Sequence, residues 1–144
     1  MNLFVLTTIS LKKKTEEDLI LEWKISNLVH KRETPFEEHM DFIEGWGWKT
    51  YDYSSEDNCY FTDLKTAKEY ALRNCGDMND GGSYNYACIT EMPYNATYAM
   101  TNIQSIYVFK FDRDSDTYVE VDINADAETK YIVGHNGCKH LLKE

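Results

Sequence analysis

Residues 103–123 read IQSIYVFKFDRDSDTYVEVDI. Ile103 to Phe111 is a run of apolar, aromatic and β-branched residues. Thr117 to Ile123 alternates, with Val119, Val121 and Ile123 on one side and Tyr118, Glu120 and Asp122 on the other, the period of a half-buried strand. Between them lies Asp112-Arg113-Asp114-Ser115-Asp116, five residues whose short polar side chains suit a hairpin loop. The spacing predicts an antiparallel pair, the strongest strand signal in the chain, and commits the fold to an antiparallel sheet.

Working back from this pair, Tyr84 to Met92 reads as a further strand stopped by Pro93, and Asp77 to Ser83 as a Gly/Asn/Asp loop. The clearest helix precedes that loop. Thr62 is placed to cap it, Leu64, Ala67, Ala71 and Cys75 share one face, and Gly76 closes it. A second helix starts at Thr34-Pro35-Phe36-Glu37, a capping residue followed by proline at the first helical position. It carries Phe36, Met40 and Ile43 on one face and ends at Gly45. Gly45 to Tyr53 is aromatic and extended, and Ser54 to Asn58 reads as a polar turn. Residues 95–102 carry no decisive pattern.

Leu3 to Leu11 predicts the first strand. In the next stretch two signals conflict. Thr15-Glu16-Glu17-Asp18 resembles a capping box. Yet Leu19, Leu21, Trp23 and Ile25 alternate with Ile20, Glu22, Lys24 and Ser26, and on a helix the apolar residues from Leu19 to Val29 scatter around the whole circumference. The alternation favours a strand over Leu19–Ser26, making a hairpin through the Lys12–Asp18 turn. At the other end, Tyr131 to Val133 reads as a last short strand and Cys138 to Lys143 as a helical turn. There is no internal repeat, linker or break in composition. The expected architecture is a single α+β domain over residues 1–144, an antiparallel sheet with two or three short helices packed on one face.

At 144 residues and 42% hydrophobic, the chain can bury a core without disulfide or metal staples. Seven glycines and two prolines exclude collagen-like and low-complexity chains. An aromatic content of 14% excludes a disordered acidic tail. No apolar run reaches the ~18 residues of a membrane-spanning helix, and Met1 to Leu6 reads as strand, not as a signal peptide. A cytoplasmic protein is expected, with Cys59, Cys75, Cys88 and Cys138 as free thiols.

Twenty-five acidic against 15 basic residues give a net charge of −10. Such a balance opposes direct binding to phosphate backbones and favours encounter with a basic protein surface. The one basic cluster, Lys12-Lys13-Lys14, is followed at once by Glu16-Glu17-Asp18.

No catalytic or cofactor motif is complete. GxSxG, HExxH, the kinase set and GxGxxG after a strand are absent, and no GKS/T follows the Asp77–Asp80 loop. His135, Cys138 and His140 are chemically able to ligate zinc, but their HxxCxH spacing matches no common pattern. Asp112, Asp114 and Asp116 begin like a calcium loop. The sixth position is Thr117 where glycine is required, and the twelfth is Ile123 where a bidentate glutamate is required. No metal and no cofactor are expected, and no enzyme activity.

The excess lies in the aromatics, with eleven tyrosines and three tryptophans. Such side chains suit half-buried and interface positions. The leading expectation is a non-catalytic acidic binding protein, of the class of phage or mobile-element inhibitors that occlude the basic groove of a host nucleic-acid-processing defence protein. Trp46, Trp48, Asp77, Asp80, Asp112, Asp114 and Asp116 are its candidate contacts. The alternative is a small-molecule binder or sponge with an aromatic-lined pocket.

Overall fold

A computed structural model describes residues 2–45, 50–79, 83–93, 103 and 105–143. Their elements are β1 (Asn2–Lys13), α1 (Glu16–His30), α2 (Phe36–Gly45), β2 (Tyr51–Phe61), α3 (Leu64–Leu72), β3 (Tyr86–Pro93), β4 (Ser105–Asp112), β5 (Thr117–Val121) and α4 (Ala127–His135), with a 3-10 turn at Lys139–Leu141. One five-stranded antiparallel sheet has the order β2-β1-β3-β4-β5. This is the α+β architecture expected. The predicted hairpin is present as β4 and β5, paired from Val108↔Val121 to Asp112↔Thr117. The chain divides into two compact units, residues 1–10 with 54–144, and residues 11–53.

The first unit holds the sheet core. Leu6, Ala87, Ile89, Phe109 and Tyr118 form a buried cluster with Ala67 and Ala71 of α3 and with Met78. Because side chains alternate along a strand, Tyr86, Cys88 and Val108 point to the opposite face. There the Tyr86 hydroxyl donates to Glu128 of α4 at 2.9 Å, and α4 packs against β4. The helices of this unit are therefore divided between the two faces, where the sequence reading gathered them on one.

Each helix starts where a side chain meets the free backbone N–H groups of its first turn. Asp63, not Thr62, caps α3, its carboxylate accepting from the Thr66 N–H at 2.9 Å and the Thr66 hydroxyl at 2.7 Å. Asp126 caps α4 by accepting from the Thr129 N–H at 2.8 Å. Tyr131 to Val133 accordingly lies in a helix, with Ile132 and Val133 buried, and not in a strand. Ser54 to Asn58 is not a turn but the exposed middle of β2. An edge strand with both faces in water has no alternation to detect, and its charges discourage edge pairing.

The second unit carries the largest departure from expectation. Residues 16–30 form the helix α1, not a strand. The capping box prevails: the Asp18 N–H donates to the Thr15 hydroxyl at 3.1 Å, and the Thr15 N–H to the Asp18 carboxylate at 3.0 Å. Lys31 ends the helix in the left-handed region at φ 52°. Trp23 then meets Phe36 of α2 edge-on, with ring centroids 5.5 Å apart. Thr34 does not serve as a simple cap for α2. Its carbonyl accepts from the Trp23 indole at 2.6 Å and the Asn27 amide at 3.0 Å, which ties the two helices together. Met40 and Ile43 are buried, as the spacing predicts.

Candidate functional site

Two of the acidic segments leave the sheet at the same end. The Asp77 loop enters β3 through Asn85, whose N–H donates to the Ile9 carbonyl at 3.0 Å and whose carbonyl accepts from Phe111 at 3.0 Å. Tyr86 lies opposite Lys110, so this loop and the Asp112–Asp116 turn leave the sheet at the same end. Asp77, Asp112, Asp114 and Asp116 are thus brought to one end of the first unit. Trp46, Trp48 and Asp80 lie outside the described residues.

Local chemistry explains why aspartates occupy these positions. Asp112 accepts from the Asp114 N–H at 3.2 Å and from the Ser115 hydroxyl at 3.0 Å, an arrangement that folds the turn on itself. Asp116 and Asp77 both adopt φ 55°, a region that Asp tolerates better than most side chains. Gly76, just before, also has a positive φ of 69°, and a Cβ there would collide with the Tyr70 hydroxyl. The aspartates earn their place as turn residues, yet Asp77, Asp114 and Asp116 leave their carboxylates in water.

The sequence reading missed a third contributor because it took Ser54–Asn58 for a turn. Glu56 stands on β2, its carboxylate accepting from the Tyr84 hydroxyl at 2.8 Å. That bond, then burial, then the nearby negative charge hold the Tyr84 phenol above its ordinary pKa. The Thr8 hydroxyl reaches the Glu56 carbonyl at 3.3 Å, and the neighbouring Thr7 hydroxyl reaches the Asp57 carboxylate at 3.0 Å. Tyr84 supplies a half-buried ring beside these carboxylates. Arg113 lies in the turn, and on the α4 face the Lys110 ammonium sits 6.0 Å from the Tyr86 ring centroid.

The His135, Cys138 and His140 cluster is not assembled for chemistry. Cys138 is completely buried, its thiol pushed up to about 11 by burial, whereas a nucleophilic cysteine requires a depressed pKa. His135 stacks on Tyr131 at 5.8 Å, and burial lowers its pKa. His140 is exposed on the 3-10 turn. Among the described residues no group of three or more His, Cys, Asp or Glu side chains is placed to hold a metal ion.

In the second unit, α1 and α2 enclose a cavity of about 160 Å³ lined by Asn27, Arg32, Thr34, Glu38, His39 and Phe42, among others. Its lining mixes charge of both signs. No protein-family model matches the chain, and no curated protein or solved structure is similar to it.

Proposed function

We propose that the chain is a non-catalytic acidic binding protein that docks on a basic surface of another protein. The class of partner is a nucleic-acid-processing protein, inhibited by occlusion of its Lys/Arg-lined groove, as a phage or mobile-element inhibitor of host defence would act. The observation that carries this reading is that the Asp77 loop and the Asp112–Asp116 turn leave the sheet at the same end, with Asp77, Asp114 and Asp116 exposed. Exposed carboxylates on turns at one sheet end present a negative field, which steers a cationic partner and makes association sensitive to salt. Trp46 and Trp48 enter the proposal from the sequence alone, as candidate apolar contacts.

The test compares the intact chain with the variant Asp77→Asn/Asp112→Asn/Asp114→Asn/Asp116→Asn as bait at low salt. Asparagine preserves the turn chemistry and removes the charge. The expected result is retention of basic nucleic-acid-processing proteins by the wild type, with association at least tenfold slower for the variant. Trp46→Ala/Trp48→Ala loses retention without changing the salt slope. If wild type and the charge-neutral variant retain the same proteins, the proposal is wrong.

A second reading is favoured by the α1–α2 cavity, in which Arg32 and Phe42 face one space. It is a binder of a small anionic, ring-containing ligand, held by the guanidinium and stacked on the ring. A melting shift with a nucleoside monophosphate, lost in Arg32→Ala, is its expected signature. No shift across a nucleotide panel eliminates it.

A further inference from the structure

The turn between α1 and α2 is held at several points. Lys31 stands in the left-handed region, the Arg32 N–H donates to the Asn27 carbonyl at 2.9 Å, and the Asn27 side chain bonds both the N–H and the carbonyl of Thr34. Arg32 therefore leaves a well-held backbone at the turn end of the α1–α2 cavity, which it lines together with Glu38 and Phe42 of α2. Glu38 and Phe42 are four residues apart, neighbours on one face of a helix. One cation, one anion and one ring thus share a single space.

The charges identify the ligand. A simple anion that settles on Arg32 meets Glu38 in the same space, and a simple cation on Glu38 meets Arg32. A zwitterion satisfies both, and each charge then rejects analogues that lack its counterpart. A carboxylate matches the planar fork of a guanidinium. The Phe42 ring is 61% exposed, apolar surface that a second ring covers by offset or edge-on contact. In an aromatic α-amino acid two carbons join the ammonium to the ring, a span comparable to the about 5–6 Å between neighbours on a helix face. The size agrees. The cavity holds about 160 Å³, and about 150 Å³ suffices for one benzene ring. A second cavity of about 440 Å³ shares Ser26, Arg32, His39 and Phe42 with the first, which gives the charged head room beside the ring.

We propose that the α1–α2 cavity binds an aromatic α-amino acid, whose carboxylate rests on Arg32, whose ammonium rests on Glu38 and whose ring packs on Phe42. This site rests on the second reading, of a small ring-containing ligand with an anionic group, and adds the cationic group that Glu38 requires. It uses neither the sheet nor its acidic turns.

Calorimetric titration of the full chain with phenylalanine tests it. Saturable binding with a dissociation constant below about 10 mM is expected. Phenylpropionate, which lacks the ammonium, and phenethylamine, which lacks the carboxylate, are each expected to bind about tenfold more weakly. Arg32→Ala is expected to weaken phenylalanine about tenfold. Glu38→Gln is expected to weaken phenylalanine and not phenylpropionate, so that the two ligands bind alike. Both residues are exposed, so the circular dichroism spectrum of each variant is expected to stay native. Should a variant unfold, the two analogues decide on the wild type alone. The proposal is overturned if phenylalanine shows no saturable binding, or if phenylpropionate binds the wild type as tightly. A nucleoside monophosphate held through Arg32, with phenylalanine ignored, overturns the zwitterion and keeps the second reading. Binding of neither removes both.

Discussion

The indole N–H of Trp23 donates to the carbonyl of Thr34 at 2.6 Å, across the turn that joins α1 to α2. The Asn27 side chain closes the same turn from both sides, donating to that carbonyl at 3.0 Å and accepting from the Thr34 N–H at 3.3 Å. With the Trp23–Phe36 ring contact, these bonds hold a helical hairpin whose α1 buries no residue. Trp23→Phe keeps a ring and loses the hydrogen bond, which is expected to cost about 1 kcal/mol. Trp23→Ala also removes the ring contact and is expected to cost about 2–3 kcal/mol, below the range for fully buried aromatics because Trp23 is half-buried. Urea unfolding followed by helical circular dichroism checks both. Equal costs for the two variants would show that the ring contact contributes nothing.

Tyr118 presents the opposite situation, a buried polar atom with no bond among the described residues. Its ring meets Phe111 edge-on at 5.2 Å, while its hydroxyl has no hydrogen-bond partner among the described residues. Burial, with Tyr84 nearby as the lesser cause, pushes the phenol up to about 12. A stranded hydroxyl carries a desolvation cost of about 1–3 kcal/mol that the folded state need not bear. Tyr118→Phe is therefore expected to stabilise the protein by about 1 kcal/mol, against the usual direction of core substitutions. Thr90, whose hydroxyl is also buried without a partner among the described residues, is expected to respond similarly to replacement by valine. A lower urea midpoint for Tyr118→Phe would show that the hydroxyl does find a partner in solution.

How much of this was legible in the sequence depended on whether one element's pattern had one cause. β3 and β4 follow from short-range signals because they are buried on both faces and read as nearly continuous apolar runs, the turn between β4 and β5 because it is polar, and α2 because it sets one apolar face, Met40 and Ile43, against its surroundings. α1 defeats the same reading for a physical reason. One apolar face serves α2 and the other stays in water, so the combined pattern has no helical period, while Leu19 to Ser26 happens to alternate. The capping box at Thr15 and Asp18 was the better guide, since it reflects the backbone's own unpaired N–H groups. β2 was hidden by its position at the sheet edge, where Ser54 to Asn58 answers to solvent on both faces. The acidic turn at Asp112–Asp116 was readable as a turn. Its placement at the same sheet end as the Asp77 loop was not, because that depends on β3 pairing with β4 across intervening sequence.

The helix caps make stability depend on acid. Asp126 accepts from the Thr129 N–H, and this backbone bond is the main cause that holds its carboxyl below the ordinary range. Asp63 and Asp18 are depressed in the same direction by their bonds to Thr66 and Thr15. A depressed carboxyl binds its proton less tightly when folded than when unfolded. Its contribution is thus complete above the unfolded pKa of about 3.9 and is lost as pH falls through the folded value. Stability is expected to be flat from neutral pH down to about pH 5 on account of these groups and to fall below about pH 4. Asp126→Asn keeps an acceptor at the cap and removes the charge, so its acid limb is expected to be shallower than that of the wild type. Denaturant midpoints across pH 3–7 measure this, and parallel limbs for the two proteins would show that the Asp126 cap does not titrate with folding.

The thiols divide by burial, and that division sets their reactivity. Cys88 and Cys138 are completely buried, while Cys59 and Cys75 are half-buried. Burial pushes the Cys88 thiol up to about 12 and the Cys138 thiol up to about 11, and for Cys88 the proximity of Cys138 and Asp57 adds to the effect. Thiolate is the reacting species, so each factor of ten in its population lowers the labelling rate correspondingly. Native protein at pH 8 is expected to expose Cys59 and Cys75 to a disulfide reagent within minutes, and Cys88 and Cys138 only as fast as the chain opens. Both buried thiols bind their protons more tightly folded than unfolded. Their contribution to stability is accordingly complete below the unfolded pKa of about 8.5 and is lost as pH rises toward their folded values. Cys138→Ala retains burial without the thiol and is expected to flatten that alkaline limb. Rapid labelling of Cys138 in the native protein would contradict both halves of this prediction, because it would require a thiolate in contact with water where the fold places a protonated thiol.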